Sequence, residues 1–132
     1  MAKSILITGC STGIGYDAAH TMHKRGWQVF ATCRQQKDCD RLQSEGLTSF
    51  VLDYEDEASI TAAIETCLTA TGGTLDALFN NGAYAIPGPV EDLTRNALRA
   101  NFEANFFGHF DLINQLMPTF RKQGRGRILN CS

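Results

Sequence analysis

Several features are scarce or missing in this chain of 132 residues, and each absence narrows what it can be. No apolar run approaches the ~20 residues of a membrane-spanning helix, so no transmembrane segment is expected. No sign of charge dominates: 12 Lys and Arg stand against 14 Asp and Glu, for a net charge of −2. That excludes a broad electrostatic surface for nucleic acid or anionic membrane. The basic residues gathered near the end, Arg121, Lys122, Arg125 and Arg127, read as a solvated helix end and loop. The five cysteines (Cys10, Cys33, Cys39, Cys67 and Cys131) form no C-x-x-C pair and are odd in number. Free thiols in a reducing cytoplasm fit this better than a disulfide framework. His20 and His23 have no Cys or carboxylate cluster beside them and read as surface histidines, so no metal site is expected. A strand pattern begins at Ser4, which leaves no leader to expect. There are three prolines, no repeat and no linker, consistent with one domain over residues 1–132.

What is present is an alternation of two periods. Ile5, Leu6 and Ile7 form a short apolar run, as in a strand buried on both faces. A helix is expected from about Gly13, with Ile14, Ala18 and Met22 on one face and a stop at Gly26. WQVFATC reads as a second strand, Lys37 to Glu45 as a weak polar helix, and TSFVL as a third strand. DEASITAAIETCLTA is the clearest helix: Ile60, Ala63, Ile64, Cys67 and Leu68 recur at helical spacing. Asp56 fits its N-cap and Gly72-Gly73 its end. LDALFN is a fourth strand and YAIPGPVEDL a loop. A long helix is expected from Thr94 to Arg121. Its apolar stripe is Leu98, Phe102, Phe106, His109, Ile113, Leu116 and Phe120, and Pro118 should end or bend it. RILNCS is a fifth strand, after which the chain stops. Strands separated by helices imply right-handed crossovers and a doubly wound α/β fold on a parallel sheet. Ligands of such folds sit beyond the carboxyl ends of the strands, where strand order reverses.

Gly9-x-x-x-Gly13-x-Gly15 lies between the first strand and the first helix. It is neither G-x-G-x-x-G nor a P-loop. Small residues there let a phosphate approach the unpaired amides of a helix N-terminus, with Ser11 and Thr12 adding hydroxyl donors. A plain tight turn with close helix–sheet packing is the other reading. At the end of the second strand stand Cys33 and Arg34, with no acid. In dinucleotide folds an acid at this position takes the ribose hydroxyls and an arginine accommodates a 2′-phosphate. Arg34 therefore favours NADP over NAD and argues against a methyltransferase; a surface arginine is the alternative.

Taken together, five stretches are similar to the motifs of the short-chain dehydrogenase/reductase family. TGCSTGIG (Thr8 to Gly15) resembles its T-G-x-x-x-G-x-G cofactor motif. LDYED resembles the segment whose Asp meets adenine, here Asp53. FNNGAY resembles N-N-A-G, placing Asn80, Asn81 and Gly82 near the cofactor, with Gly82 and Ala83 transposed. NFFG resembles the N-x-x-G of the long helix, making Asn105 the helix asparagine. GRILNCS resembles the fifth strand. The resemblance covers Ser4 to Ser132.

It implies a Rossmann-like oxidoreductase that uses NADP(H) to transfer hydride at a carbonyl or alcohol carbon of a small molecule. Gly9, Ser11, Thr12, Gly13, Ile14 and Gly15 would hold the pyrophosphate, and Arg34 the 2′-phosphate. Asp53 would contact adenine, Asn80 the ribose region, and Asn105 a water of the proton relay. Asn105 is also a polar residue suited to opening a helix locally. The family's remaining groups are a Ser and a Tyr-x-x-x-Lys pair, four apart on one helix face. Here His20, Ala58 and Gly88 follow Tyr16, Tyr54 and Tyr84 at that spacing, and the family's serine falls one position past Ser132. The expectation is the N-terminal part of a longer cytoplasmic enzyme, homo-oligomeric in its full-length form and inactive as this piece alone. The alternative is a dinucleotide-binding or redox-sensing module that never catalyses.

Overall fold

A computed structural model describes residues 2–132. Five strands form one fully parallel sheet: β1 (Ser4–Ile7), β2 (Gln28–Cys33), β3 (Thr48–Val51), β4 (Ala77–Asn80) and β5 (Arg127–Asn130), in the order β3-β2-β1-β4-β5. Order reverses at β1, whose Ile5 faces Val29 on one side and Ala77 on the other. The helices are α1 (Gly13–Lys24), α2 (Gln36–Ser44), α3 (Glu57–Thr71), α4 (Arg95–Phe102) and α5 (Gly108–Gln123). Among the described residues no helix is long and apolar enough to cross a membrane.

The sheet is apolar on both faces because side chains alternate along each strand. Leu6 joins a core with Phe30, Ile60, Leu78, Leu112 and Leu116, beneath α3 and α5. Ile5 and Ile7 join the opposite core with Val29, Ala31, Cys39 and Leu42, beneath α1 and α2. Helix α3 begins where Asp56 accepts from the Ala58 amide (3.1 Å) and ends at left-handed Gly72, so the expected caps form.

The expectations on the helices are corrected or narrowed at three places. Ile14 is 62% exposed, while Gly15 and Ala19 are the buried residues of α1; the small residues face the sheet because they let the helix approach it closely. The long helix forms without a break from Arg95 to Gln123 but is not regular: α4 passes into a wide π turn (Glu103–Phe107) before α5. The expected stripe is not buried as one face: Leu98, Phe102 and Phe106 are exposed, while beyond the turn Gly108, Leu112, Leu116 and Phe120 are buried. Pro118 does not end α5, which runs on to Gln123. Burial of Phe120, with Gln123 bonded to the Leu75 backbone (2.6 Å), holds the turn beyond the proline.

Candidate active site

Beyond the carboxyl ends of β1, β2 and β4 lies a crevice of about 420 Å³. Its base is the β1–α1 loop. Gly9 is left-handed (φ 66°), which turns the chain out of β1 and leaves Cys10 buried, its amide on the Thr32 carbonyl (2.9 Å). A Cβ on Gly15 would overlap the Gly9 carbonyl oxygen, so helix and loop touch backbone to backbone. The Asn81 side-chain amide locks this contact by donating to the Thr8 and Gly9 carbonyls, both at 3.2 Å. Thr12 makes no side-chain cap on α1. The first amides of that helix, with their partial positive charge, are therefore free of a side-chain acceptor at the crevice.

One wall is cationic. Arg34, just past β2, is exposed and sits 5.4 Å from the centre of the Tyr84 ring. The Tyr84 hydroxyl donates to Glu55 (3.2 Å), and partial burial together with this bond pushes the phenol above its ordinary pKa. Lys37, in the first turn of α2, lines the same wall. Among the described residues neither Arg34 nor Lys37 belongs to an ion pair, whereas Asp38 on that wall lies 3.7 Å from Arg41. Arg41 also donates to the Ser11 carbonyl (2.6 Å), joining α2 to the loop. Asp53 also lines the crevice, half-buried, with one carboxylate oxygen accepting from the Glu55 amide (3.0 Å).

Asn105 sits in the middle of the π turn. Both ends of its side chain bind the Tyr84 backbone: Oδ1 accepts from the amide (3.1 Å) and Nδ2 donates to the carbonyl (2.7 Å). Asn101 donates to the same carbonyl (3.0 Å). The opened helix thus pins the segment after β4, and with it the Tyr84 ring.

Of the residues singled out in the sequence, Gly9, Ser11, Thr12, Arg34, Asp53, Asn81 and Gly82 line the crevice together. Gly13, Ile14 and Gly15 lie behind the loop at the start of α1. Asn80 is fully buried below it, and Asn105 faces Tyr84. Sequence reasoning passed over Lys37, Tyr54 and Tyr84, which the fold brings to the walls. Lys37 had a signal, a second cation three residues after Arg34; the tyrosines had only their positions near Asp53 and Gly82. No cluster of three or more metal-ligating side chains occurs among the described residues.

The crevice suits a dinucleotide on its own geometry. Backbone amides and hydroxyls at the loop match a pyrophosphate, and two cations without carboxylate partners match a further phosphate. The sequence matches the family model described as short chain dehydrogenase over residues 3–132. An Escherichia coli (strain K12) protein named as the uncharacterized oxidoreductase YbbO is 36% identical over 132 residues, covering 100% of this chain and 49% of its own length. A crystal structure of a short-chain dehydrogenase from Streptomyces avermitilis superposes with a TM-score of 0.89 at 31% identity, covering 98% of this chain and 48% of that one. A structure of an actinorhodin polyketide ketoreductase variant with NADPH gives a TM-score of 0.87 at 26% identity, covering 98% and 52%. The chain spans about half the length of the curated relatives it matches. With the family model matched over residues 3–132 and the structural likeness spanning nearly the whole chain, the chain belongs to the short-chain dehydrogenase/reductase family.

Proposed function

We propose that this chain is the cofactor-binding part of an NADP(H)-dependent oxidoreductase acting on a carbonyl or alcohol substrate. The observation that carries the NADP preference is Arg34. It stands at the carboxyl end of β2, exposed, over the Tyr84 ring and without a carboxylate partner among the described residues. An arginine there favours a ribose 2′-phosphate, and an acid would have favoured free hydroxyls. When bound, the nicotinamide supplies or accepts the hydride. The chain's own residues bind and orient. The amides at the start of α1, with Ser11 and Thr12, hold the pyrophosphate; Gly9 and Gly15 keep the backbone close enough for that. Arg34, with Lys37 beside it, takes the 2′-phosphate, and Asp53 meets the adenine. Asn105 fixes the Tyr84 segment that closes the adenosine end. The serine and the tyrosine–lysine pair of the family's chemistry are not among these residues, so the 132-residue chain alone is expected to bind without turnover. The buried free thiols fit a reducing compartment such as the cytoplasm.

Calorimetric titration with NADPH and NADH tests the reading. NADPH should bind about tenfold or more tightly than NADH, as charge-assisted contacts to one phosphate allow. Arg34→Leu should erase most of that ratio and leave NADH affinity nearly unchanged. Equal or tighter binding of NADH by the unaltered chain would overturn the assignment.

A further inference from the structure

Tyr54 directly follows Asp53, yet it is a buried residue, 7% exposed, with its ring under the crevice. Its hydroxyl sits between the Thr8 Oγ1 (2.7 Å) and the Asn80 Oδ1 (2.6 Å). The protons can be placed by counting. Thr8 Oγ1 accepts from the amides of Asn81 and Gly82, both at 2.9 Å, and its own proton goes to the nearer Tyr54 hydroxyl (2.7 Å) over the Phe79 carbonyl (3.4 Å). Asn80 Oδ1 only accepts, so the phenol proton goes there. The Asn80 amide nitrogen donates onward to Asn130 (3.2 Å). One phenol therefore joins the carboxyl ends of β1, β4 and β5.

The ring has equally specific neighbours. It packs on the His109 ring at 4.4 Å between centres, and His109 in turn is bonded to the Gly82 carbonyl (2.7 Å). A Cβ on Gly82 would lie 2.8 Å from Tyr54 Cε2, and one on Gly108 would overlap the tyrosine Cβ and stand 2.7 Å from its ring. Gly82 is not left-handed, so backbone conformation does not require glycine there; the tyrosine does. This accounts for the N-N-G-A order, in which glycine stands where the family motif has alanine.

We propose that Tyr54 is the positioning residue of the crevice. It sets Thr8, Asn80 and the Asn81–Gly82 backbone in place, and Gly82 and Gly108 are the counterparts its ring demands. The dinucleotide arm of the test rests on the proposed function; the others do not. Four chains are compared: unaltered, Gly82→Ala, Tyr54→Leu and the double variant, each by urea unfolding and by NADPH titration. Tyr54→Phe is added, keeping the ring and removing the hydroxyl. Gly82→Ala should raise the unfolding constant roughly fivefold or more beside Tyr54 and less than about twofold beside leucine, a coupling expected only of groups in contact. NADPH affinity should show the same rescue. Tyr54→Phe should speed hydrogen exchange of the Asn81 and Gly82 amides while the Phe30 amide in β2 stays unchanged. Additive effects in the urea cycle would overturn the packing claim, and unchanged exchange in Tyr54→Phe the hydrogen-bond claim. Coupled unfolding with no NADPH binding to the unaltered chain would instead overturn the proposed function while supporting the placement of Tyr54.

Discussion

Alanine and asparagine at Gly13 and Gly15 separate two physical reasons for a glycine. Gly13 is left-handed (φ 63°) and a Cβ there would meet nothing within 4 Å. Alanine should lose only the backbone preference, about 1–2 kcal/mol. Asparagine, which enters the left-handed region more readily, should lose less than alanine. Gly15 has no such backbone requirement, but its Cβ would overlap the Gly9 carbonyl oxygen and lie 2.6 Å from the Asn81 side-chain nitrogen. The Gly9 backbone cannot rotate aside. The Asn81 amide can, but only by giving up its two bonds to the loop carbonyls. Alanine at 15 should therefore reach the upper part of the ~1–3 kcal/mol range for overpacking, and asparagine should exceed it. At about 4 °C per kcal/mol for a chain of this size, Gly13→Ala should lower the melting temperature by roughly 4–8 °C and Gly15→Ala by roughly 8–12 °C. The decisive feature is the crossing: asparagine is milder than alanine at 13 and harsher at 15. Thermal melts followed by circular dichroism read all four values. The same order at both positions, or a milder Gly15→Ala than Gly13→Ala, would refute the backbone-contact account of the loop.

Two further outcomes follow from charge and burial. Four thiols are buried and Cys131 is exposed; burial pushes Cys67 and Cys33 up to about 12 and raises Cys10 further. A thiol reagent at pH 8 should therefore label Cys131 alone in the native chain and all five in urea, and rapid native labelling of a second cysteine would contradict the packing. Asp76 is partly buried, which raises its pKa, but bonds from the Ser4 amide (2.8 Å) and Arg125 (3.2 Å) outweigh this and hold it below the ordinary carboxyl value. A depressed carboxyl stabilises the fold above its unfolded pKa and loses that contribution as pH falls through the folded value. Asp76→Ala should lower the urea midpoint at pH 7, and the two midpoints should converge in acid; a gap that persists at pH 2 would show that charge is not the cause.

Much of the fold was readable because it rests on local chemistry. The apolar run at Ile5–Ile7, the Asp56 cap and the stop at Gly72 each act within a few residues, and each forms as expected. Arg34 was readable as well, because its place at the end of β2 follows from the alternation of strands and helices. The stripe of the long helix was not. Its first half, Leu98, Phe102 and Phe106, is exposed, while Leu116 and Phe120 beyond the π turn are buried. No periodicity marks that turn; the sequence offered only Asn105, a polar residue suited to opening a helix, and the structure ties it to the Tyr84 backbone, 21 residues away in sequence.

By itself, then, the order of residues determined a parallel α/β sheet, a glycine loop on β1 and an arginine on β2, since propensity, capping and strand–helix alternation are short-range. Tertiary structure alone decided that Tyr54 lies beneath the crevice, that Gly82 makes room for it, and that Asn80 turns inward to its hydroxyl while Asn81 clamps the loop. Those relations join residues 26 to 73 positions apart. They arise only when the parallel strands bring their carboxyl ends together, where close packing leaves room for one side chain or its neighbour but not both.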